Sequence, residues 1–141
     1  MAKLFSYNPK QVVVTFGGTK LSGFGDGDFV TISKREDTFT TIDGADGDST
    51  RSLNPSTTYD VTITLLDGSS SNDAMSTYYI ADAQTGLGTL PLFVKDTQGR
   101  DVFISEAAWI VKPADIVKGK EAGTREWTLT AFNGQAFVGG L

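Results

Sequence analysis

The sequence predicts an all-β fold with one helix: a sandwich or barrel, with the helix flanking the sandwich. Three observations lead there. Segments of strict period-two alternation recur along the chain, most clearly at Thr58–Leu66 and Thr124–Phe132. Glycine clusters and turn dipeptides separate them, with 16 glycines in 141 residues. Only the stretch after Asp67-Gly68 carries the caps and composition of a helix. The chain reads as a single domain, 1–141, long enough for a core but not a deep one.

The elements follow in order. Gln11–Phe16 is a strand entered through the extended Asn8-Pro9, and Gly17-Gly18 offers the positive φ of a tight turn into Thr19–Phe24. The cluster Phe24-Gly-Asp-Gly-Asp28 breaks the chain. Phe29–Lys34 and Thr38–Ile42 both have strand composition, as one long bent strand or two short ones. Asp43–Pro55 reads as a long polar loop, with some strand character at Ser49–Leu53. In Thr58–Leu66 the residues Tyr59, Val61, Ile63 and Leu65 face one side, and the threonines and Asp60 the other. The serines after Gly68 and Asn72 suit a helix N-cap, Asp73 suits the positive first turn, and Gly86 ends a helix of roughly three turns.

Leu90–Lys95 and Asp101–Ser105 flank a short polar connection. Glu106–Lys112 and Thr124–Phe132 make a last hairpin, with Lys112-Pro113 ending its first strand because proline cannot donate to a ladder. Asn133-Gly134 is a tight-turn dipeptide, and Gln135–Val138 returns from it as a short edge strand.

Composition excludes several functions. With no cysteine and no histidine, the chain lacks the thiolate, the commonest general base and the commonest metal ligand. No enzyme activity, cofactor or metal is expected. The net charge is −5, and Phe24–Asp48, with seven acids against two bases, accounts for all of it. A chain with no basic stripe is poorly suited to gripping phosphate backbones. The N-terminus has no apolar leader and no run reaches membrane-spanning length, so the chain is expected to fold in the cytoplasm with no membrane partner.

Motif-like stretches have plain readings. Gly25-Asp26-Gly27-Asp28 matches one unit of a calcium β-roll repeat, but such sites need stacked copies, so it reads as a turn. Asp43-Gly-Ala-Asp46-Gly-Asp48 lacks a downstream bidentate glutamate and reads as a solvated tip. Gly17-Gly18-Thr19-Lys20 lacks the strand–loop–helix context of a phosphate loop. Glu106, Asp115, Glu121 and Glu126 read as solvent-facing acids rather than a catalytic pair. Trp109 and Trp127 fall on the apolar phase of the last hairpin and suit a core or subunit interface; exposed, they would suit a carbohydrate-binding module instead.

Collinear short matches carry a resemblance across nearly the whole chain. They are Asn8-Pro9-Lys10 followed by Val12–Val14 and Phe16-Gly17-Gly18, then Ser22-Gly23-Phe24, Gly44-Ala45-Asp46-Gly47 and Ser71-Asn72-Asp73. Gly119–Trp127 and Phe137-Val138-Gly139-Gly140 complete the series. In this order they resemble the tail tube proteins of contractile-tailed bacteriophages, except that Ser69-Ser70 stand where a proline is expected. The resemblance implies a structural virion protein of the phage tail, assembled in the host cytoplasm. Hexameric rings of it stack into a tube around a lumen that DNA crosses only in transit. It implies contact with a sheath protein, and with tape measure and baseplate or terminator proteins at the tube ends. Lumen-facing candidates are Glu36, Thr38, Thr40, Asp60, Thr62, Thr64, Glu126 and Thr128. Candidates for subunit contacts are Asp43, Asp46, Asp48, Arg51, Lys118, Lys120, Glu121 and Arg125.

Overall fold

The structure is a computed structural model that describes residues 2–141. After a single 3-10 turn at Pro9–Gln11, ten strands and one α-helix follow in order among these residues: β1 Val12–Phe16, β2 Thr19–Lys20, β3 Val30–Lys34, β4 Phe39–Asp43, β5 Ser49–Leu53, β6 Tyr59–Leu66, α1 Ser71–Thr85, β7 Leu90–Asp96, β8 Val102–Lys112, β9 Thr124–Phe132 and β10 Gln135–Phe137. The eight-stranded main sheet runs β2-β1-β7-β8-β9-β6-β3, with β10 also on β8, and all paired strands are antiparallel. Strands β4 and β5 form a separate two-stranded sheet.

The main sheet folds over one core. Val14 and Phe16 of β1 meet Val61, Ile63 and Leu65 of β6 in a single buried cluster with Leu92, Phe103, Trp127 and Leu129. The helix supplies Met75 and, at the edge, Tyr78, whose ring packs edge-on against Phe16 at 5.5 Å. The hydroxyls of Tyr78 and Thr19 share a hydrogen bond of 2.5 Å, which fastens the helix to the β1–β2 turn. That turn is Gly17-Gly18 at φ 61° and 84°, the conformation expected of the dipeptide.

One buried polar contact ties sheet to helix. The Trp127 indole N–H donates to Asn72 Oδ1 at 3.0 Å, and the Asn72 amide donates to the carbonyls of Leu66 at 2.9 Å and Ser69 at 3.1 Å. Asn72 is therefore not the helix cap that its type suggests. The cap position falls on Ser70, which makes no side-chain cap bond, and the helix runs for 15 residues, nearer four turns than three.

Other expectations are revised by the pairing. Phe29–Lys34 and Thr38–Ile42 belong to two strands in different sheets. Ser49–Leu53 is a full strand, so the polar loop is a hairpin. The segments Asp101–Ser105 and Glu106–Lys112 are one continuous strand, β8. A bulge at Glu106-Ala107 lies between Ser105, paired with Leu92, and Ala108, paired with Leu90. The extra residue resets the alternation: Phe103 and Ser105 point inward before it, Ala108 and Ile110 after it. Trp109 consequently stands on the outer face, opposite Thr130, while Trp127 alone enters the core.

Strand β10 does not return either. Phe132 pairs with Ala107 and Gln135 with Ile104, the same register carried three residues further along both strands. Asn133-Gly134 is a kink in one long strand. Gly134 lies where a Cβ would come within 2.7 Å of Tyr59 and 2.9 Å of Phe103, so this close approach requires glycine.

Candidate assembly surfaces

The hairpin β4–β5 stands off the main sheet as an arm. Its strands pair in register from Phe39↔Leu53 to Asp43↔Ser49, and every residue in both is exposed. The base is closed by Asn54 N–H on the Thr38 carbonyl at 2.7 Å. One face carries Phe39, Leu53 and Arg51, with the guanidinium 4.4 Å from the Phe39 ring centre, a cation–π contact. Ile42 on the opposite face is 72% exposed. At the tip, Asp43, Asp46 and Asp48 form no ion pair among the described residues. An isolated two-stranded hairpin is marginal in water. Its large apolar groups Phe39, Ile42 and Leu53 are uncovered in the single subunit.

A second projecting stretch joins β8 to β9, residues 113–123, without helix or strand. Its roots are fixed. Arg125 pairs with Asp67 at 3.4 Å and donates to the Asp115 carbonyl at 3.1 Å, Gly123 N–H donates to Asp67 Oδ2 at 2.8 Å, and Ala114 packs on the core. Between these roots Ile116 and Val117 are 81% and 71% exposed, followed by Lys118, Lys120 and Glu121. Of the contact candidates, Asp43, Asp46, Asp48 and Arg51 thus share the arm and Lys118, Lys120 and Glu121 share this stretch. Arg125 serves within its own subunit as the tie beneath the stretch.

The outer face of β3, β6 and β9 is a hydroxyl-rich wall. Cross-strand pairs Asp60↔Thr130, Thr62↔Thr128 and Thr64↔Glu126 are continued on β3 by Thr31↔Thr62 and Ser33↔Asp60. Arg35 lies across it, 2.6 Å from Asp60 and 3.2 Å from the hydroxyl of Thr130, which is buried although it points outward. The hydrogen bond that Arg35 donates to the Asp60 carboxylate, and the charge of that carboxylate, raise the Arg35 guanidinium pKa above its ordinary value. Five lumen candidates, Asp60, Thr62, Thr64, Glu126 and Thr128, come together on this wall. Glu36, Thr38 and Thr40 do not join it. Glu36 accepts from the Asn54 amide at 2.5 Å, Thr38 from the Lys34 ammonium, and Thr40 faces Ser52 on the arm. Among the described residues no group of three or more His, Cys, Asp or Glu could hold a metal ion.

The model of the Bacteriophage PhiTE tail tube protein family matches residues 7–139. The chain belongs to this family. A curated relative, "Structural protein ORF10" of Pseudomonas phage KPP10, is 28% identical over 136 residues, covering 91% of this chain and 79% of the relative. The tail tube protein is thus a structural protein of a phage tail.

Its fold matches solved structures of contractile injection systems. The cap that terminates the anti-feeding prophage tube aligns over 97% of the tail tube protein and 94% of the cap, with TM-score 0.64 and 14% identity. A chain of the PVC sheath–tube complex in its extended state aligns over 94% and 92%, with TM-score 0.60 and 13% identity. The PVC sheath/tube terminator aligns over 97% and 100%, again with TM-score 0.60 and 13% identity. These likenesses establish the shared architecture.

The apolar arm and stretch residues, Phe39, Ile42, Leu53, Ile116 and Val117, are absent from the candidates read from sequence. Their signal was available as large apolar side chains inside segments otherwise polar and turn-rich.

Proposed function

We propose that this chain is the repeating subunit of the inner tube of a contractile tail, with six copies closing a ring and rings stacking around a channel for DNA. The observation that carries the reading is the arm, a hairpin exposed along both strands with three large apolar residues uncovered. Sheet edges support it, since β2 and β3 end the main sheet with no further strand beside them among the described residues and offer unpaired backbone groups to neighbours. Relatives described as sheath–tube and terminator components support contacts with a sheath outside the tube and a terminator at its end. By the same resemblance, tape measure and baseplate proteins meet the tube ends. No chemistry is assigned to the chain. The carbohydrate-binding alternative loses one of its two tryptophans, because Trp127 is buried with its N–H committed to Asn72.

In this reading the hydroxyl-rich wall of β3, β6 and β9 lines the channel. Hydroxyls and carboxylates do not neutralise phosphates, so they release no counterions and leave the duplex free to slide. Glu126→Lys tests the assignment. Glu126 is exposed and the structure gives it no ion pair, so the variant should fold and assemble. Its particles are expected to eject DNA more slowly, with the delay shrinking as salt is raised. Unchanged ejection at all salt concentrations places Glu126 off the channel.

A further inference from the structure

A groove of about 360 Å³ opens where the folded sheet fails to close, between the free edge of β3 and the strands β1, β7 and β10. It has room for roughly a dozen waters at about 30 Å³ each, or for two branched aliphatic side chains. Val12, Phe29, Val30, Val94 and Phe103 contribute apolar walls. Three carboxylates, Asp28, Asp96 and Asp101, also line it, and no lysine or arginine does. Asp96 accepts from the Gln98 N–H and Asp101 from the Gly139 N–H, but none of the three forms an ion pair among the described residues. The groove is apolar inside and negative.

The stretch 113–123 carries the complementary pattern. Ile116 and Val117 are two adjacent β-branched residues held out in solvent, and Lys118 and Lys120 follow with no ion pair among the described residues. Its roots are tied by Arg125, Gly123 and Ala114, as described above, which fixes where the stretch leaves the sheet. The stretch and the groove share no residue. A contact between them in two copies is therefore heterologous, the kind that generates rings or stacked filaments rather than closed dimers.

We infer that Ile116 and Val117 of one subunit seat in the β3-edge groove of a second copy, with Lys118 and Lys120 against its Asp28, Asp96 and Asp101. The inference rests on the tube reading and assigns one of its contacts.

The absence of native cysteine makes a clean test. Val117→Cys subunits and Ala136→Cys subunits are mixed in equal amounts, assembled and oxidised, since Ala136 lines the groove and is exposed. A disulfide-linked dimer should form in the mixture and in neither variant alone, and only under assembling conditions. Separately, Lys118→Glu with Lys120→Glu should raise the concentration needed for assembly at least tenfold, and Asp28→Lys in the same chain should recover part of it. Tubes that form without the mixed disulfide overturn the groove contact and leave the tube reading standing. A wild-type chain that stays monomeric at every concentration overturns both.

Discussion

A chain in which Phe39–Leu53 is replaced by a two-residue turn should remain folded and lose the ability to assemble. The domain is expected to tolerate the deletion because every residue of both arm strands is exposed, and because the Asn54 N–H and Thr38 carbonyl at its base are already within 2.7 Å. Assembly should suffer because burying each of Phe39, Ile42 and Leu53 against a neighbour contributes about 1.5–3 kcal/mol. Each 1.4 kcal/mol lost is about a tenfold rise in the concentration needed to associate, so removing all three is expected to shift it by more than about a hundredfold. Ile42→Asp alone, with the rest of the arm intact, should shift it about tenfold or more. Sedimentation velocity across a concentration series reads both effects, with thermal melting as the control for folding. If the deleted chain assembles like the wild type, the arm is not the contact.

The second large effect lies in the core. Trp127→Ala is expected to destabilise the fold by about 3–5 kcal/mol, the usual range for emptying a buried aromatic site. Part of that loss is polar. With the indole N–H gone, Asn72 Oδ1 is left buried without its donor, at a cost of about 1–3 kcal/mol. Trp127→Phe separates the two contributions because it keeps most of the volume and removes only the donor. Its denaturation midpoint should fall between those of the wild type and Trp127→Ala. A Phe variant as stable as the wild type would show that the Asn72 contact contributes nothing net. Against a typical domain stability of about 5–15 kcal/mol, Trp127→Ala brings the subunit near the threshold of folding.

Strands β6 and β9 were legible in the sequence because one face of each is buried and the other is not, so alternation records the burial directly. The bend of the main sheet was not. The bulge at Glu106-Ala107 inserts one residue into β8, moves Trp109 to the outer face, and leaves a polar glutamate where a break in the strand is the natural reading. The arm was read as a loop because both its faces are exposed, which erases the alternation that reveals a strand. Likewise Asn133-Gly134 has the composition of a hairpin turn. The unbroken register on β8 shows that the pair is a kink in a continuing strand, and the packing of Tyr59 and Phe103 against Gly134 shows why glycine stands there. Among the candidate residues, those on β6 and β9 fall on one wall because register follows alternation. Glu36, Thr38 and Thr40 fall elsewhere because the chain leaves the main sheet after Lys34.

Negative-stain electron microscopy of the purified chain at high concentration tests the central claim most directly. The account predicts rings and hollow tubes whose abundance rises with concentration and disappears when the arm is removed. A field of dispersed particles of single-subunit size at every concentration would contradict it.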